Sequence, residues 1–334
     1  MKKYTQYRWI AFIILLSFLI SGCSSSTSGK KTEAGSSNKD LKVINIGYQK
    51  FGTLNILKAK GILEKGLKPL GYTVKWTEFP GGPQLLEALN VGSLDFGHTG
   101  EAPPIFAQAA EARLVYYADA SANPKGEAIL VPKNSSIKTL QDLKGKKIAL
   151  NKGSNVHFLL VKALEKAGIP YSDIKTVFLP PADARAAFEK GDIDAWVIWD
   201  PFFADAERAT NARILADGSG LVKNREFFLA TKKFATENPK VLDVIFKELK
   251  KTDKWVEGNP KEAATFLAPQ IGMSVDTLEL TLNRRTYGLE KMNDEVAKDQ
   301  QQIADAFYKL KLIPQDIQVQ GPFKNNKLKE GILK

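Results

Sequence analysis

Cysteine occurs once in the 334 residues, at Cys23, and histidine twice, at His98 and His157. A lone cysteine excludes a disulfide within the chain. Two histidines without a paired ligand give no set at the spacing a zinc site needs. No G-x-S-x-G is present, and Cys23 sits in a leader-like segment, which leaves no thiol for a cysteine–histidine pair. Neither a P-loop nor a G-x-G-x-x-G occurs. No basic tract carries interleaved aromatics, so nothing favours nucleic acid as a partner. Beyond Ile20 no apolar run approaches the roughly 20 residues that a membrane span needs.

What is present is an ordinary globular composition, 43% hydrophobic and 25% charged, in a chain long enough for two domains. The formal net charge of +11 favours anionic partners such as small anions or anionic lipid. Lys2, Lys3 and Arg8 flank an apolar run from Trp9 to Ile20, followed by Ser21, Gly22 and Cys23. Residues 1–22 read as a signal peptide whose end resembles the bacterial lipobox, where the cysteine is lipidated and becomes the mature N-terminus. An uncleaved membrane helix is the alternative, for which the run is short. Residues 23–40 have no periodicity and read as a flexible tether. The body is therefore expected on the extracytoplasmic face of a membrane, held by lipid at Cys23.

From residue 41 onward, strand and helix patterns alternate. The clearest unit is 147–168: Ile148, Ala149 and Leu150 read as a buried strand, 151–155 as a loop, and the rest as a helix. Val156, Leu159, Leu160, Ala163, Leu164 and Ala167 follow helical spacing, and Gly168 and Pro170 stop it. Ser154 or Asn155 stands where a cap belongs, while His157 falls off the stripe and reads as a surface or interlobe group. Further strands are expected at 41–48, 72–79, 93–97, 114–118, 128–131, 176–179, 193–199 and 227–231. Such alternation predicts an α/β fold with right-handed βαβ units and mostly parallel sheets. Gly92-Ser93-Leu94-Asp95-Phe96 is echoed by Gly191-Asp192-Ile193-Asp194-Ala195, each after a helix opening at a proline-rich turn. The echo suggests two lobes of related plan facing a ligand cleft. The expected division is 41–130 plus 227–334 for lobe one, with its C-terminal part helical, and 131–226 for lobe two. Crossings are expected at 127–132 and 226–231. Helices are predicted at 239–257, 260–269, 274–289 and 293–310.

Five loops at strand ends, 49–53, 81–84, 98–101, 153–155 and 199–200, each open a predicted helix. The first-turn N–H groups of a helix lack internal partners and attract negative charge, so these loops form a candidate anion cradle. Trp199 and Phe51 could wall an organic tail; plain core is the alternative for Trp199. Capped helices with no ligand remain the alternative for the loops. Glu101 and Asp200 stand as a minor candidate pair of catalytic carboxylates, since helix starts favour acids for capping alone.

Four stretches carry a family resemblance: GYQKFGTLNILKAKG (47–61), WTEFPGGPQLLEALNVGSLDFGHTGEAPPIFAQA (76–109), ALNKGSNVHFLLVKALEKAG (149–168) and PPADARAAFEKGDIDAWVIWDPF (180–202). Together they closely resemble the aliphatic-sulfonate-binding proteins of ABC importers, over nearly the whole mature chain. The resemblance implies a two-lobed type II periplasmic-binding-protein fold, no cofactor, and a lipoprotein of the Gram-positive type. It also implies a permease and an ATPase as partners, sulfur scavenging as the role, and a monomer. It places an alkanesulfonate among Gln49, Gly82, Thr99, Gly100, Ser154 and Asn155, with Glu101, Trp199 and Asp200 at matching motif positions. Arg285, in LNRRTYGL, matches a basic position expected either in the cleft or on a solvated helix face. Taurine or nitrate as the anion, an enzyme akin to the pyrimidine-precursor synthases, and an adhesin-like interaction lipoprotein stay open as alternatives.

Overall fold

The computed structural model describes residues 41–319; the leader, Cys23 and the tether lie outside them, as do residues 320–334. The first half is laid down as β1 (Lys42–Gln49), α1 (Thr53–Lys60), α2 (Ile62–Leu67), β2 (Tyr72–Phe79), α3 (Gly82–Asn90), β3 (Phe96–Gly100), α4 (Pro103–Ala109) and β4 (Leu114–Ala120). After residues 121–126 come β5 (Glu127–Val131), β6 (Lys147–Leu150), α5 (Asn155–Ala167), β7 (Lys175–Phe178), α6 (Pro181–Lys190), β8 (Ala195–Trp199), α7 (Phe202–Thr210) and β9 (Arg213–Asp217). Residues 218–225 return the chain to β10 (Glu226–Thr231). Then follow α8 (Lys232–Glu237), α9 (Pro239–Gly258), α10 (Pro260–Ile271), α11 (Val275–Arg284), β11 (Leu289–Lys291) and α12 (Asp294–Lys309). Among the described residues no helix is long and apolar enough to cross a membrane.

Two sheets result, in the orders β11-β4-β10-β3-β1-β2 and β7-β6-β8-β5-β9. Each has a parallel triplet, β2-β1-β3 and β7-β6-β8, as the βαβ alternation requires. In each, the strand next to a crossing then inserts antiparallel: β10 between β3 and β4, and β5 between β8 and β9. The sheets are therefore mixed, which corrects the expectation of mostly parallel pairing.

The sequence echo has a structural cause. Asp95 exchanges two bonds with β1: its Oδ2 accepts from the Asn45 N–H, and its own N–H donates to the Asn45 carbonyl, both at 2.8 Å. Asp194 does the same on β6, accepting from the Lys147 N–H at 2.8 Å and donating to the Lys147 carbonyl at 2.9 Å. Each aspartate thus fixes the register of a crossover strand on its parallel neighbour.

Apolar faces dictate the layering. α1, α2 and α9 cover one face of the first sheet through Ile44, Leu54, Phe96 and Leu249. α6 and α7 cover one face of the second through Phe188, Trp196 and Phe203. A third cluster joins α3 and α4 to α5 and α12, with Leu85, Ile105, Leu159, Ile303 and Phe307. α12 therefore packs against both halves rather than against the first alone. β8 is buried on both faces, as its unbroken apolar run predicts.

Three expected boundaries are corrected. β5 and β10 are full strands, so the crossings lie at 121–126 and 218–225, and residues 127–130 belong to the second sheet. His98, Thr99 and Gly100 are strand residues of β3, not a loop. α11 stops at Arg284, because Arg285 turns to extended backbone (φ −70°, ψ 141°), and Leu289 pairs with β4 instead.

Candidate functional site

A cavity of about 130 Å³ opens between the halves. The first half supplies Gln49, Lys50, Phe51, Gly82, His98, Thr99 and Gly100. The second supplies Ser154, Asn155, Trp199, Asp200 and Phe202; the return crossing adds Asn224 and Arg225, and Arg285 closes one side. Nine of the ten residues expected from the sequence line it, and Glu101 does not.

The starts of α3, α4, α5 and α7 all reach this cavity. At α3 the N-cap is Gly81, which has no side chain to cap with. At α5 the N-cap is Ser154, yet its Oγ donates to the Asn151 carbonyl at 2.6 Å and caps nothing. The first-turn amides of both helices are thus left without a side-chain acceptor, and they carry the positive end of the dipole. Beside them Thr99 has no exposed surface, and its Oγ1 has no hydrogen-bond partner. A buried hydroxyl left unpaired costs about 1–3 kcal/mol, so this donor is kept against the interest of stability. Gly82 has to be glycine here, because a Cβ would land on Thr99 Oγ1 and lie 2.9 Å from Pro103 Cγ.

Asn155 uses its side chain elsewhere. Its Oδ1 accepts from the Ala102 N–H at 3.1 Å, and its Nδ2 donates to Asn224 Oδ1 at 2.6 Å and more weakly to the Arg225 carbonyl at 3.4 Å. The amide ties the start of α5 to α4 and to the return crossing, leaving only the Asn155 backbone N–H for the cleft. Glu101 lies behind the wall, accepting from the N–H groups of Asn224 and Arg225 at 2.9 Å each. Burial raises its carboxyl to about 7 despite those bonds. Asp200 accepts from the Ala204 N–H at 3.0 Å, which caps α7, and faces Arg284 at 3.2 and 3.3 Å. Burial lifts Asp200 to about 7 against the pull of Arg284.

Arg285 does reach the cavity, and it is not a bare charge. It donates to Glu226 Oε2 at 2.7 Å, and Glu226 Oε1 contacts His98 Nδ1. His98 Nε2 accepts from the Gln49 N–H at 3.1 Å, which places the ring proton on Nδ1, and Gln49 Nε2 donates to the His98 carbonyl at 3.1 Å. Burial alone would raise Glu226, but Arg285 and His98 overcome it and hold the carboxyl at about 2. Arg225 is balanced likewise, by Asp119 at 3.1 Å and Asp299 at 3.5 Å. Lys50 has no carboxylate partner among the described residues; its Nζ sits 6.0 Å from the Phe202 ring. Trp199 and Phe202 meet edge to face at 6.4 Å beside it. The arrangement offers neutral donors and helix ends to a small monoanion, with an aromatic wall alongside.

Residues 39–271 match the NMT1-like family. The chain is 41% identical over 291 residues to a protein of Escherichia coli (strain K12) named as an aliphatic sulfonates-binding protein, covering 86% of this chain and 90% of that one. The chain belongs to this family. A second member so named, from Bacillus subtilis (strain 168), is 32% identical over 322 residues, covering 96% of this chain and 95% of that one. Among solved structures, the alkanesulfonate-binding protein SsuA from Xanthomonas axonopodis pv. citri, bound to MOPS, superposes with a TM-score of 0.81 at 40% identity. That match covers 85% of this chain and 98% of the other. The family's two-sheet α/β fold, the one expected from the sequence, is the fold described above.

Sequence reasoning missed Arg284, Asn224, Arg225 and Phe202, and held Lys50 only as part of the 49–53 loop without singling it out. Arg284 stood in the same Arg-Arg pair as Arg285 and could have been weighed with it; residues 221–225 carry no local signal. Glu127, at the start of β5, was missed as well. It has no exposed surface, neither oxygen is hydrogen-bonded, and burial with Glu101 nearby pushes its carboxyl well above the usual range. A raised folded pKa means stability that is present below the unfolded value of about 4.5 and lost as pH climbs through the folded one. Glu127→Gln is therefore expected to raise the melting temperature by several degrees at pH 8 and by less at pH 5, read by calorimetry. An equal effect at both pH values would show that Glu127 does not titrate in this way.

Proposed function

We propose that the chain binds an aliphatic sulfonate between its two halves and delivers it, chemically unchanged, to the permease and ATPase of an ABC importer for use as a sulfur source. The halves act as two lobes that close on the ligand about the crossings at 121–126 and 218–225. The observation that carries the reading is the convergence of the uncapped α3 and α5 starts with the unpartnered Thr99 hydroxyl. The sulfonate oxygens take the Thr99 hydroxyl and the backbone amides at Gly82, Gly100 and Asn155, while Ser154 joins by turning its hydroxyl from the Asn151 carbonyl to the anion, with Gln49 and Arg285 alongside. The tail lies against Trp199, Phe51 and Phe202. Each charge-assisted bond contributes roughly 1.5–3 kcal/mol, and several of them, less the ordering cost, support a micromolar complex at about −8 kcal/mol. The solved SsuA relative bound to MOPS, itself a sulfonate, supports this choice of anion. The lipobox reading makes Cys23 the lipid anchor of a monomer on the extracytoplasmic face, in the Gram-positive manner.

A neutral tail is favoured over the ammonium of taurine. Asp200 is already paired with Arg284, and Glu101 lies outside the cavity. Calorimetry of the mature protein should show ethanesulfonate binding more tightly than taurine, sulfate or nitrate, with ligand recovered intact after long incubation. A tight nitrate signal without a sulfonate signal would overturn the assignment. In the Thr99→Ala/Ser154→Ala double variant, affinity should fall roughly tenfold or more with the fold retained. Unaltered affinity would place the headgroup elsewhere.

A further inference from the structure

His157, expected from its off-stripe position to be a surface or interlobe group, has no exposed surface at all. It is the third residue of α5, one turn below the Ser154 cap. Phe106 of α4, Phe178 of β7, Phe307 of α12 and Tyr171 surround its ring, at centroid distances of 6.2, 5.7, 5.3 and 5.8 Å. Its two nitrogens have separate tasks. Nδ1 accepts from the Gly153 N–H at 3.2 Å, and Nε2 meets Tyr171 Oη at 2.8 Å. A nitrogen that accepts from an amide carries no proton, so the ring hydrogen is on Nε2 and donates to Tyr171. Burial, with Lys152 nearby, lowers the imidazole to about 4, so at neutral pH the acceptor at Nδ1 persists.

Gly153 is the residue before the Ser154 cap. It is left-handed, at φ +74°, and a Cβ there would press 3.3 Å from the Phe106 ring. Two side-chain bonds shape this turn, Ser154 Oγ to the Asn151 carbonyl and the Gly153 amide to His157, beside the backbone bonds from the Ser154 N–H to the Asn151 carbonyl at 3.3 Å and from the His157 N–H to the Ser154 carbonyl at 3.0 Å. In the usual capping arrangement the third helical residue reaches back to the cap's own amide. Here a histidine at that position reaches one residue further, the cap's own amide turns back to the Asn151 carbonyl, and Ser154 and Asn155 line the cavity at the start of the helix.

We infer that His157 is a positioning residue for the anion site: its neutral imidazole fixes the Gly153 amide, and so aims Ser154 and the first turn of α5 at the headgroup without touching the ligand. The inference rests on the headgroup placement proposed above. A plain core histidine filling an aromatic box is distinguished by where a substitute keeps an acceptor. His157→Asn puts an amide oxygen near the Nδ1 position, His157→Gln puts its amide near Nε2, and His157→Leu has neither. All three lose ring packing, so all three are expected to melt lower. Ethanesulfonate affinity is expected to stay within about threefold of wild type in His157→Asn and to weaken about tenfold or more in the Gln and Leu variants, the loss expected when an amide is left unpaired. Hydrogen exchange at the Gly153 amide, measured on the full chain without ligand, should follow the same order, slow in wild type and Asn and fast in Gln and Leu. Affinities that fall equally in all three variants, or in none, overturn the inference. If the exchange order holds while affinity is untouched, the inference fails through the headgroup placement and not through the Gly153 bond. If the exchange order is absent, the bond itself is refuted.

Discussion

With alanine at position 82, ethanesulfonate affinity is expected to drop by a hundredfold or more. The added methyl has nowhere to go. It would land on Thr99 Oγ1, and Pro103 Cγ and Thr99 Cβ lie only 2.9 and 3.0 Å from it. Thr99 is β-branched and fully buried in β3, so its rotamer cannot swing away, and Pro103 is fixed in the first turn of α4. The start of α3 must retreat, or the Thr99 hydroxyl must. Either way the headgroup loses a helix end or a hydroxyl donor, and about two charge-assisted bonds correspond to the roughly 2.7 kcal/mol in a hundredfold loss. Gly258→Ala is the control, since that position on α9 has open space around it and should leave binding unchanged. Calorimetry reads both variants, and a Gly82→Ala protein with full affinity would remove α3 from the site.

The second large effect is on stability. Arg285→Met leaves the half-buried Glu226 carboxylate at the cavity wall without its arginine, with the His98 ring as its remaining side-chain contact. Breaking one side of a fully buried ion pair typically costs about 3–5 kcal/mol because the surviving charge stays desolvated, and with 18% of the Glu226 side chain still exposed the expected loss here is about 2–3 kcal/mol. The Glu226 carboxyl sits at about 2 when paired, so its contribution is present above the unfolded value of about 4.5 and disappears as pH falls toward 2. Denaturant unfolding at pH 7 should therefore show the full loss, and adding Glu226→Gln to Arg285→Met should restore a large part of it. A loss under about 1 kcal/mol, or no rescue by the second substitution, would mean that Glu226 is solvated.

Much of the fold was legible because its signals are local. The helical stripe of α5, the apolar run of β8 and the paired Asp95 and Asp194 turns each lie within a dozen residues. The site was legible to the extent that helix starts announce themselves, which is why Gly82, Ser154 and Asp200 could be placed. What failed depends on partners distant in sequence. Glu101 reads as a helix-start acid, yet it serves the amides of residues 123 and 124 positions away. Asn155 reads as a cap or a ligand donor, but its amide is consumed by Ala102, Asn224 and Arg225. His157 lies off an apolar stripe that accounts for one side of α5, whereas α4, β7 and α12 together enclose the other. No periodicity within the helix reports neighbours of that kind.

The insertion of β10 between β3 and β4 also bears on the order in which the chain can be assembled. As the polypeptide leaves the ribosome, β1 to β4 emerge with a gap that only residues 226–231 can fill. The second sheet is contiguous, from 127 to 217, and can close first. Until β10 arrives, β3 and β4 each present an open edge, the kind of surface on which unfinished chains stick to one another. A chaperone that meets the nascent protein would have most to protect in the N-terminal half, although that half is translated first.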